Sequence, residues 1–181
     1  MRLQQSRHLL SCALLGASLL LSACGFQLRG AGVDSFHLNE LQVSALDSHS
    51  QTQPLLLDAL RNNGVTVRSA APYHLQLLGE PVYRRALNSS GRSSAAEYNL
   101  QQQLVYQITD AAGRPLIGPE TLSTQRAYVS DRDNLVGSSE EEALLRREMR
   151  QELTRQLILR LSHINADDLA ERERALGQPV D

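Results

Sequence analysis

Cys24 is the residue whose surroundings most clearly indicate a chemical modification. It directly follows Leu21-Ser22-Ala23, at the end of an apolar run that begins at Leu9, and two arginines precede that run. A basic start, an apolar stretch of this length and small residues before the cleavage point are typical of a secretory signal peptide. Leu-Ser-Ala-Cys also matches the bacterial lipobox, in which the cysteine is acylated and becomes the first mature residue. The alternative is an ordinary signal peptide that happens to precede a cysteine.

Acylation of Cys24 would anchor the protein to a membrane. Each acyl methylene buried in a bilayer contributes about 0.8 kcal/mol, and a single chain binds only marginally. N-acyl and S-diacylglycerol groups on Cys24 together supply several chains, so we expect a stable anchor. In bacterial lipoproteins an aspartate after the cysteine commonly retains the protein in the inner membrane, whereas this chain has Gly25 there. We therefore predict an outer-membrane lipoprotein with its body on the periplasmic side.

Three arginines lie in a stretch that has no acidic residue between Glu80 and Glu97. They are Arg84, Arg85 and Arg92, and a turn containing serine, asparagine and glycine lies among them. Guanidinium groups hold phosphates by bidentate hydrogen bonds. One hypothesis is that these arginines bind a phosphorylated ligand at a strand–turn–strand tip, with Arg92 nearest the turn. The other is that Arg84 and Arg85 only protect an edge strand from pairing.

Motifs for catalysis or metal binding do not occur in the sequence. The histidines beyond the signal segment lack the spacing of a helical metal pair; they are His37, His49, His74 and His163. Serine-nucleophile elbows and phosphate-binding loops are also missing. Residues 131–134 resemble the start of a calcium loop, but Val136 stands where that loop needs glycine. We predict no catalytic residue, no metal and no other cofactor, and hence a protein that is not an enzyme.

Composition favours a single acidic domain. Removal of residues 1–23 leaves 158 of the 181 residues, with 16 arginines, no lysine and 20 acidic residues, a net charge of −4. A nucleic-acid-binding domain would usually be strongly basic, so no nucleic-acid partner is expected. The only cysteines are Cys12 and Cys24, which leaves no pair for a disulfide after cleavage. The predicted division is a signal peptide (1–23), an acylated N-terminus and tether (24–35), an α+β domain (36–165) and a flexible C-terminal tail (166–181).

Hydrophobic periodicity predicts the element order β-α-β-β-β-α. After a first strand, Pro54 opens a short helix that ends near Asn63 and Gly64. Strand character follows at Val65–Val67 and Tyr73–Leu78, interrupted by Ala70-Ala71-Pro72. Strict alternation over Tyr98–Thr109 then predicts a long antiparallel strand with one buried face, and Glu120–Tyr128 predicts the strand that returns beside it.

The last predicted element is a helix of about 25 residues. Ser139 and Glu142 have the spacing of a capping box at its start. Leucines and other apolar residues then recur at helical spacing from Leu145 to Ile164, which predicts a face packed on the sheet. The fold class is therefore α+β, with a mainly antiparallel four-stranded sheet and two helices on one face.

The opposite face of the sheet is rich in glutamine and poor in charge. Two interpretations are open for it. It is either a plain solvated face or a surface that meets another polar surface, such as the hydrophilic lumen of an outer-membrane barrel.

The mature N-terminus resembles that of a known family. Residues 24–30 read Cys-Gly-Phe-Gln-Leu-Arg-Gly and are similar to the CGFxLRG opening of the LptE family of lipopolysaccharide-assembly lipoproteins. The similarity continues through residues 63–65, Ala96-Glu97-Tyr98 and the long final helix, and it covers nearly the whole mature chain. The opening is its most specific part.

This resemblance implies an outer-membrane lipoprotein inside the lipopolysaccharide-translocating β-barrel, of the LptD type. There it would support barrel assembly and bind lipopolysaccharide through basic residues near one end of the sheet. Arg92 matches the basic turn, whereas residues 136–139 have no cation where relatives can carry a lysine, so Arg132 or Arg84 would have to substitute. The alternative is an independent periplasmic lipoprotein, either a carbohydrate-binding module or an unrecognised hydrolase.

Overall fold

The computed structural model describes residues 36–88, 95–131 and 133–177, so Cys24, Arg92 and Arg132 lie outside the described residues. Six strands and three helices occur in the described part. In chain order they are β1 (Glu40–Ala45), α1 (Thr52–Asn62), β2 (Thr66–Val67), β3 (Tyr73–Gly79), β4 (Val82–Asn88), β5 (Ala95–Asp110), β6 (Pro115–Asp131), α2 (Leu135–Ser162) and α3 (Ala166–Leu176).

The strands form one mixed sheet around β5. β1 pairs in parallel with β2 and with β3. β3 and β4 pair antiparallel with consecutive parts of one edge of β5, and β6 pairs antiparallel along the other edge. Between β3 and β4, the Gln103 N–H donates to the Pro81 carbonyl at 2.9 Å. β3 and β4 therefore resemble one long strand interrupted at Pro81.

The prediction of a mainly antiparallel sheet is confirmed for the pairs of β5 with β3, β4 and β6, but the sheet has six strands rather than four and the pairs of β1 are parallel. β1 and β3 are parallel because α1 connects them as a crossover, which returns the chain in its original direction. The strand-like residues 65–78 divide into β2 and β3 around Pro72. β4 is missing from the predicted order because Pro81 marks a break before it. In addition, Arg84 and Arg85 interrupt the alternation of apolar and polar residues.

Helix α1 begins and ends within two residues of the predicted positions. Leu56 and Leu60 are fully buried on one face. Pro54 lies in the first turn, where its missing N–H leaves no helical hydrogen bond unmade. Gly64 ends the helix with φ +81°, a conformation that favours glycine. The hydroxyl of Thr52 at the helix start donates to the Glu80 carboxylate, which ties α1 to the junction of β3 and β4.

Strands β5 and β6 form a long hairpin, and the alternation predicted for β5 is confirmed. Its side chains on the helix-facing side are buried at Leu100, Gln102, Leu104, Tyr106 and Ile108. The turn is closed by the buried carboxylate of Asp110, which accepts hydrogen bonds from the backbone N–H and from Nε of Arg114 at 2.7 and 2.6 Å. The hairpin thus supplies the central part of both sheet faces.

Helix α2 is 28 residues long and begins earlier than predicted. The Asn134 side chain caps it by accepting from the Gly137 N–H at 3.1 Å. Ser139 and Glu142 consequently lie inside the helix, and no capping box forms; Glu142 instead accepts from the hydroxyl of Tyr128 on β6. The predicted apolar stripe is confirmed, since the buried residues include Met149, Leu153, Leu157, Ile158 and Leu161.

The C-terminal segment corrects a second prediction. Residues 166–176, predicted as part of a flexible tail, form helix α3. The Asn165 side chain caps it by accepting from the Asp167 N–H at 3.1 Å. Leu169 is fully buried and joins the main core. One buried residue in three turns gives too little periodicity to reveal a helix from sequence.

All three helices contribute to the core on the same face of the sheet. The main apolar cluster joins residues of these helices to β1, β3, β5 and β6. A smaller cluster of Leu100, Tyr128 and Met149 joins α2 to the far half of the hairpin. The described residues leave the other face of the sheet uncovered, and we call it the open face.

Candidate functional site

The central part of the open face is neutral and polar. Because side chains alternate along a strand and paired residues share a face, strand register assigns its members. Between Gln101 and Gln107 on β5, and between Thr121 and Ala127 on β6, no described side chain on this face is charged. The polar members are Gln42, Ser44, His74, Gln76, Asn99, Gln101, Gln103, Gln107, Thr121, Ser123 and Gln125.

Four of these side chains form a hydrogen-bonded row across β5, β3 and β1. Gln107 Nε2 donates to Gln76 Oε1 at 2.7 Å, and Gln76 Nε2 lies 3.1 Å from His74 Nδ1. His74 Nε2 is 2.8 Å from Ser44 Oγ. This pattern assigns the ring proton to Nε2, and burial lowers the pKa of His74. The row is therefore neutral at pH 7.

Arg84 and Arg85, for which the sequence left phosphate binding and protection of an edge strand as alternatives, lie on opposite faces of the sheet. Arg84 pairs with Leu100 on the helix-facing side, whereas Arg85 pairs with Asn99 on the open face. Neighbouring residues of a strand always diverge in this way. The structure therefore does not bring the two guanidinium groups together. Recognition of β4 in the sequence would have revealed this separation.

Arg84 belongs to a group of five residues that we call the Arg84 cluster. Its guanidinium lies 3.7 Å from the centroid of the Tyr98 ring, which stacks on Tyr128 with ring centroids 5.8 Å apart. Arg84 Nε is 3.6 Å from Glu142 Oε2, and Arg146 Nη2 is 2.6 Å from Glu142 Oε1. The cluster links β4, β5 and β6 to α2. This arrangement is typical of a structural ion pair with a cation–π contact.

Within the Arg84 cluster, the carboxylate of Glu142 compensates the charge of Arg84. Burial acts to raise the pKa of Glu142, but hydrogen bonds from Tyr128 and Arg146 and the charges of Arg146 and Arg84 outweigh it and lower that pKa. Burial, together with the hydrogen bond to Glu142, raises the pKa of Tyr128 to about 12. At neutral pH, Glu142 is therefore anionic and Tyr128 is neutral.

Arg85 has different surroundings. It lines a cavity of about 430 Å³ on the open face, which we call the Arg85 cavity; the other lining residues are Tyr83, Leu87, Asn99, Gln101 and Gln125. Among the described residues, none forms an ion pair or hydrogen bond with the Arg85 guanidinium. Tyr83 is 53% exposed, so its ring is accessible to a ligand. The sequence identifies Arg85 as a candidate binding residue, but it does not show which polar side chains lie beside it.

Several predictions concern parts of the chain that the structure leaves undescribed. Cys24 and Arg92 lie outside the described residues and stay predictions as lipid-attachment and lipopolysaccharide-binding residues. Within residues 36–88, 95–131 and 133–177, no group of three or more histidine, cysteine or acidic residues could hold a metal ion. No helix in these ranges is long and apolar enough to span a membrane.

The fold places the protein in a class of bacterial lipoproteins with known structures. A minor lipoprotein from Acinetobacter baumannii has 25% identity and a TM-score of 0.60, and the match covers 68% of this chain and 90% of that one. Lipoprotein B from Nitrosomonas europaea has a TM-score of 0.63 over 76% of this chain and 90% of that one. Its identity is 17%, so this second match supports the fold alone.

Within that class, the family is defined by sequence. The model of the LptE family, described as lipopolysaccharide-assembly, matches residues 38–161, and the chain belongs to this family. The LPS-assembly lipoprotein LptE of Photorhabdus laumondii is 27% identical over 95% of this chain and 96% of its own length. The protein of the same name from Yersinia pestis is 25% identical over 96% and 86%, respectively. The resemblance found in the sequence is therefore confirmed.

Proposed function

We propose that this lipopolysaccharide-assembly lipoprotein is anchored in the outer membrane through acylated Cys24 and fills the lumen of an LptD-type β-barrel. In this plug-and-barrel complex it would assist barrel assembly and bind lipopolysaccharide during insertion into the outer leaflet. The role is one of binding and support, with no catalytic step. Membership of the LptE family supports the general role, and the open face supports the mode of action.

The observation that carries this proposal is the neutral polar character of the central part of the open face, between Gln101 and Gln107 on β5 and between Thr121 and Ala127 on β6. A face exposed only to water would tolerate many charged residues. When a face is buried against another protein, desolvation of each unpaired charge costs free energy. The amides and hydroxyls of this face provide donors and acceptors without that cost, and three of them are already bonded, together with His74, in the row from Gln107 to Ser44. Such a surface fits the polar interior of an outer-membrane barrel.

Lipopolysaccharide binding requires accessible cations, since the ligand carries phosphates and acidic sugars. Arg85 meets this requirement in the structure, and Arg92 is placed by the sequence in the turn that follows β4. For Arg84 we propose a structural role, because Glu142 and Tyr98 already engage its guanidinium.

Co-purification tests the proposed complex. The tagged full-length protein should be extracted from outer membranes in mild detergent, and the molar ratio of any co-purifying barrel should be measured. We expect a stoichiometric complex with one large barrel and no enrichment of other abundant barrels, which serve as the control. Recovery as a free monomer would overturn the proposal and favour an independent periplasmic lipoprotein.

A further inference from the structure

We propose that the Arg85 cavity binds an anionic sugar, meaning a pyranose ring that carries a phosphate or a carboxylate. This inference deepens the proposed function and rests on it, since lipopolysaccharide contains such sugars. It adds a position on the open face of the sheet and a defined part of the ligand.

The cavity is built from two rows of side chains that cross three strands. In the first row, Gln101 of β5 lies between Tyr83 of β4 and Gln125 of β6. In the second row, Asn99 lies between Arg85 and Ala127. Neighbouring strands are about 4.8 Å apart, so each row spans about 10 Å. That span matches a sugar ring together with its substituents.

The lining residues offer the three kinds of contact that an anionic sugar needs. The half-exposed ring of Tyr83 provides an apolar surface with a polar edge, on which one face of a pyranose can rest. The amides of Asn99, Gln101 and Gln125 each carry donors and an acceptor, and so do sugar hydroxyls. Arg85 provides a planar guanidinium that binds phosphate or carboxylate in a bidentate manner.

The charge and shape of the cavity favour an anionic sugar over an acyl chain as its ligand. Arg85 is the single charged residue among the described residues that line the cavity, and Glu97 lies one row further along β5, towards its first residue. Ala127, which pairs with Asn99 in the second row, has a small side chain. Among the described lining residues, only Tyr83 and Leu87 offer a large apolar surface, which is too little to bury an acyl chain.

An NMR titration of the full-length protein in detergent tests the inference. The probes are N-acetylglucosamine 1-phosphate and galacturonate, with N-acetylglucosamine and inorganic phosphate as the separate halves of the ligand. We expect both acidic sugars to bind more tightly than either half and to shift the amide signals of Arg85, Asn99 and Gln125. Equal affinity for inorganic phosphate and the sugar phosphate would overturn the assignment to a sugar.

Three variants locate the site. Arg85→Gln removes a hydrogen-bonded charge contact and should weaken binding of the sugar phosphate at least about tenfold. Ala127→Leu should also weaken it, because the larger side chain would lie beside Asn99 in the second row. Arg126→Gln is the matched control, because Arg126 pairs with Leu100 on the other face of the same sheet, and its affinity should be unchanged. Thermal melts show whether each variant is folded. If Ala127→Leu does not fold, the result for Arg85→Gln alone decides.

Parallel measurements with whole lipopolysaccharide separate this inference from the proposed function. If wild type binds lipopolysaccharide and folded Arg85→Gln binds the sugar phosphate as wild type does, the cavity is excluded and the proposed function stands. If wild type binds the sugar phosphate through Arg85 but does not bind lipopolysaccharide, the cavity is confirmed as an acidic-saccharide site and lipopolysaccharide binding is excluded.

Discussion

Arg84 and Arg85 are adjacent arginines with the same intrinsic chemistry and opposite surroundings. Arg84 lies over Tyr98 and beside Glu142, where its charge is compensated. Arg85 lines an open cavity and has no charged partner among the described residues. A side chain whose hydrogen-bonding groups are already engaged stabilises the fold, whereas one with unused donors is available to a ligand. The difference arises entirely from the two-residue period of β4.

The two arginines should therefore differ in their effects on stability. A cation–π contact contributes about 0.5–1 kcal/mol at exposed sites, and the ion pair adds little because the Arg84 side chain is 43% exposed. We expect Arg84→Gln to lower the free energy of unfolding by about 1 kcal/mol. Arg85→Gln is the matched control and should change it by less than about 0.5 kcal/mol. Denaturant unfolding measures both values, and equal values would remove the structural role assigned to Arg84.

In the proposed function, the membrane location depends on Cys24. Cys24→Ala should block acylation, because it removes the thiol that we propose as the point of lipid attachment. We expect a variant that is either unprocessed or soluble in the periplasm, as judged by mass spectrometry and membrane fractionation. Normal fractionation together with a normal lipid-modified mass would show that the anchor lies elsewhere.

At the scale of elements, helix α2 holds the sheet through one stripe of side chains. Leu157 is fully buried in the main cluster, whereas Leu159, two residues further on, is 54% exposed. Met149 belongs to the smaller cluster, so the same stripe supports both halves of the hairpin. The helix therefore positions β5 and β6, and with them the central strands of the open face.

The two leucines provide a direct test of this packing. Leu157→Ala should reduce the free energy of unfolding by about 2–5 kcal/mol, the range for truncating a fully buried leucine. Leu159→Ala removes the same atoms from an exposed position and should cost less than about 0.5 kcal/mol. Chemical denaturation gives both numbers. A small effect at Leu157 would contradict the assignment of this stripe to the core.

At the scale of the whole molecule, the sequence predicts the features that depend on local periodicity. The alternation of β5 and the apolar stripe of α2 can be predicted because each repeats every few residues. The end of α1 can be predicted because a single glycine marks it. The parallel pairing of β1 with β3 is a long-range relation that the crossover helix α1 decides. The Arg85 cavity also requires register, since Asn99 and Gln125 approach Arg85 only after three strands have paired.

The open face leads to a prediction about the entire protein in its complex. If a polar barrel interior covers this face, a single charge at its centre must be desolvated without a partner. Gln103 lies there, half-buried and paired with Ser123 across the hairpin. We expect both Gln103→Glu and Gln103→Arg to reduce the amount of co-purifying barrel at least about tenfold, which corresponds to about 1.4 kcal/mol. Testing both signs of charge prevents a chance ion pair from hiding the effect.

Gln151→Glu is the control for this experiment, because Gln151 is exposed on helix α2 and the substitution changes net charge by the same amount as Gln103→Glu. It should leave recovery of the barrel unchanged. Thermal melts of the isolated variants should stay close to wild type, since a charge on an uncovered face is solvated in the free protein. Normal recovery of the barrel with both Gln103 variants would mean that this face remains in water in the complex, and the contact with the barrel would then have to involve the helices or the edges of the sheet.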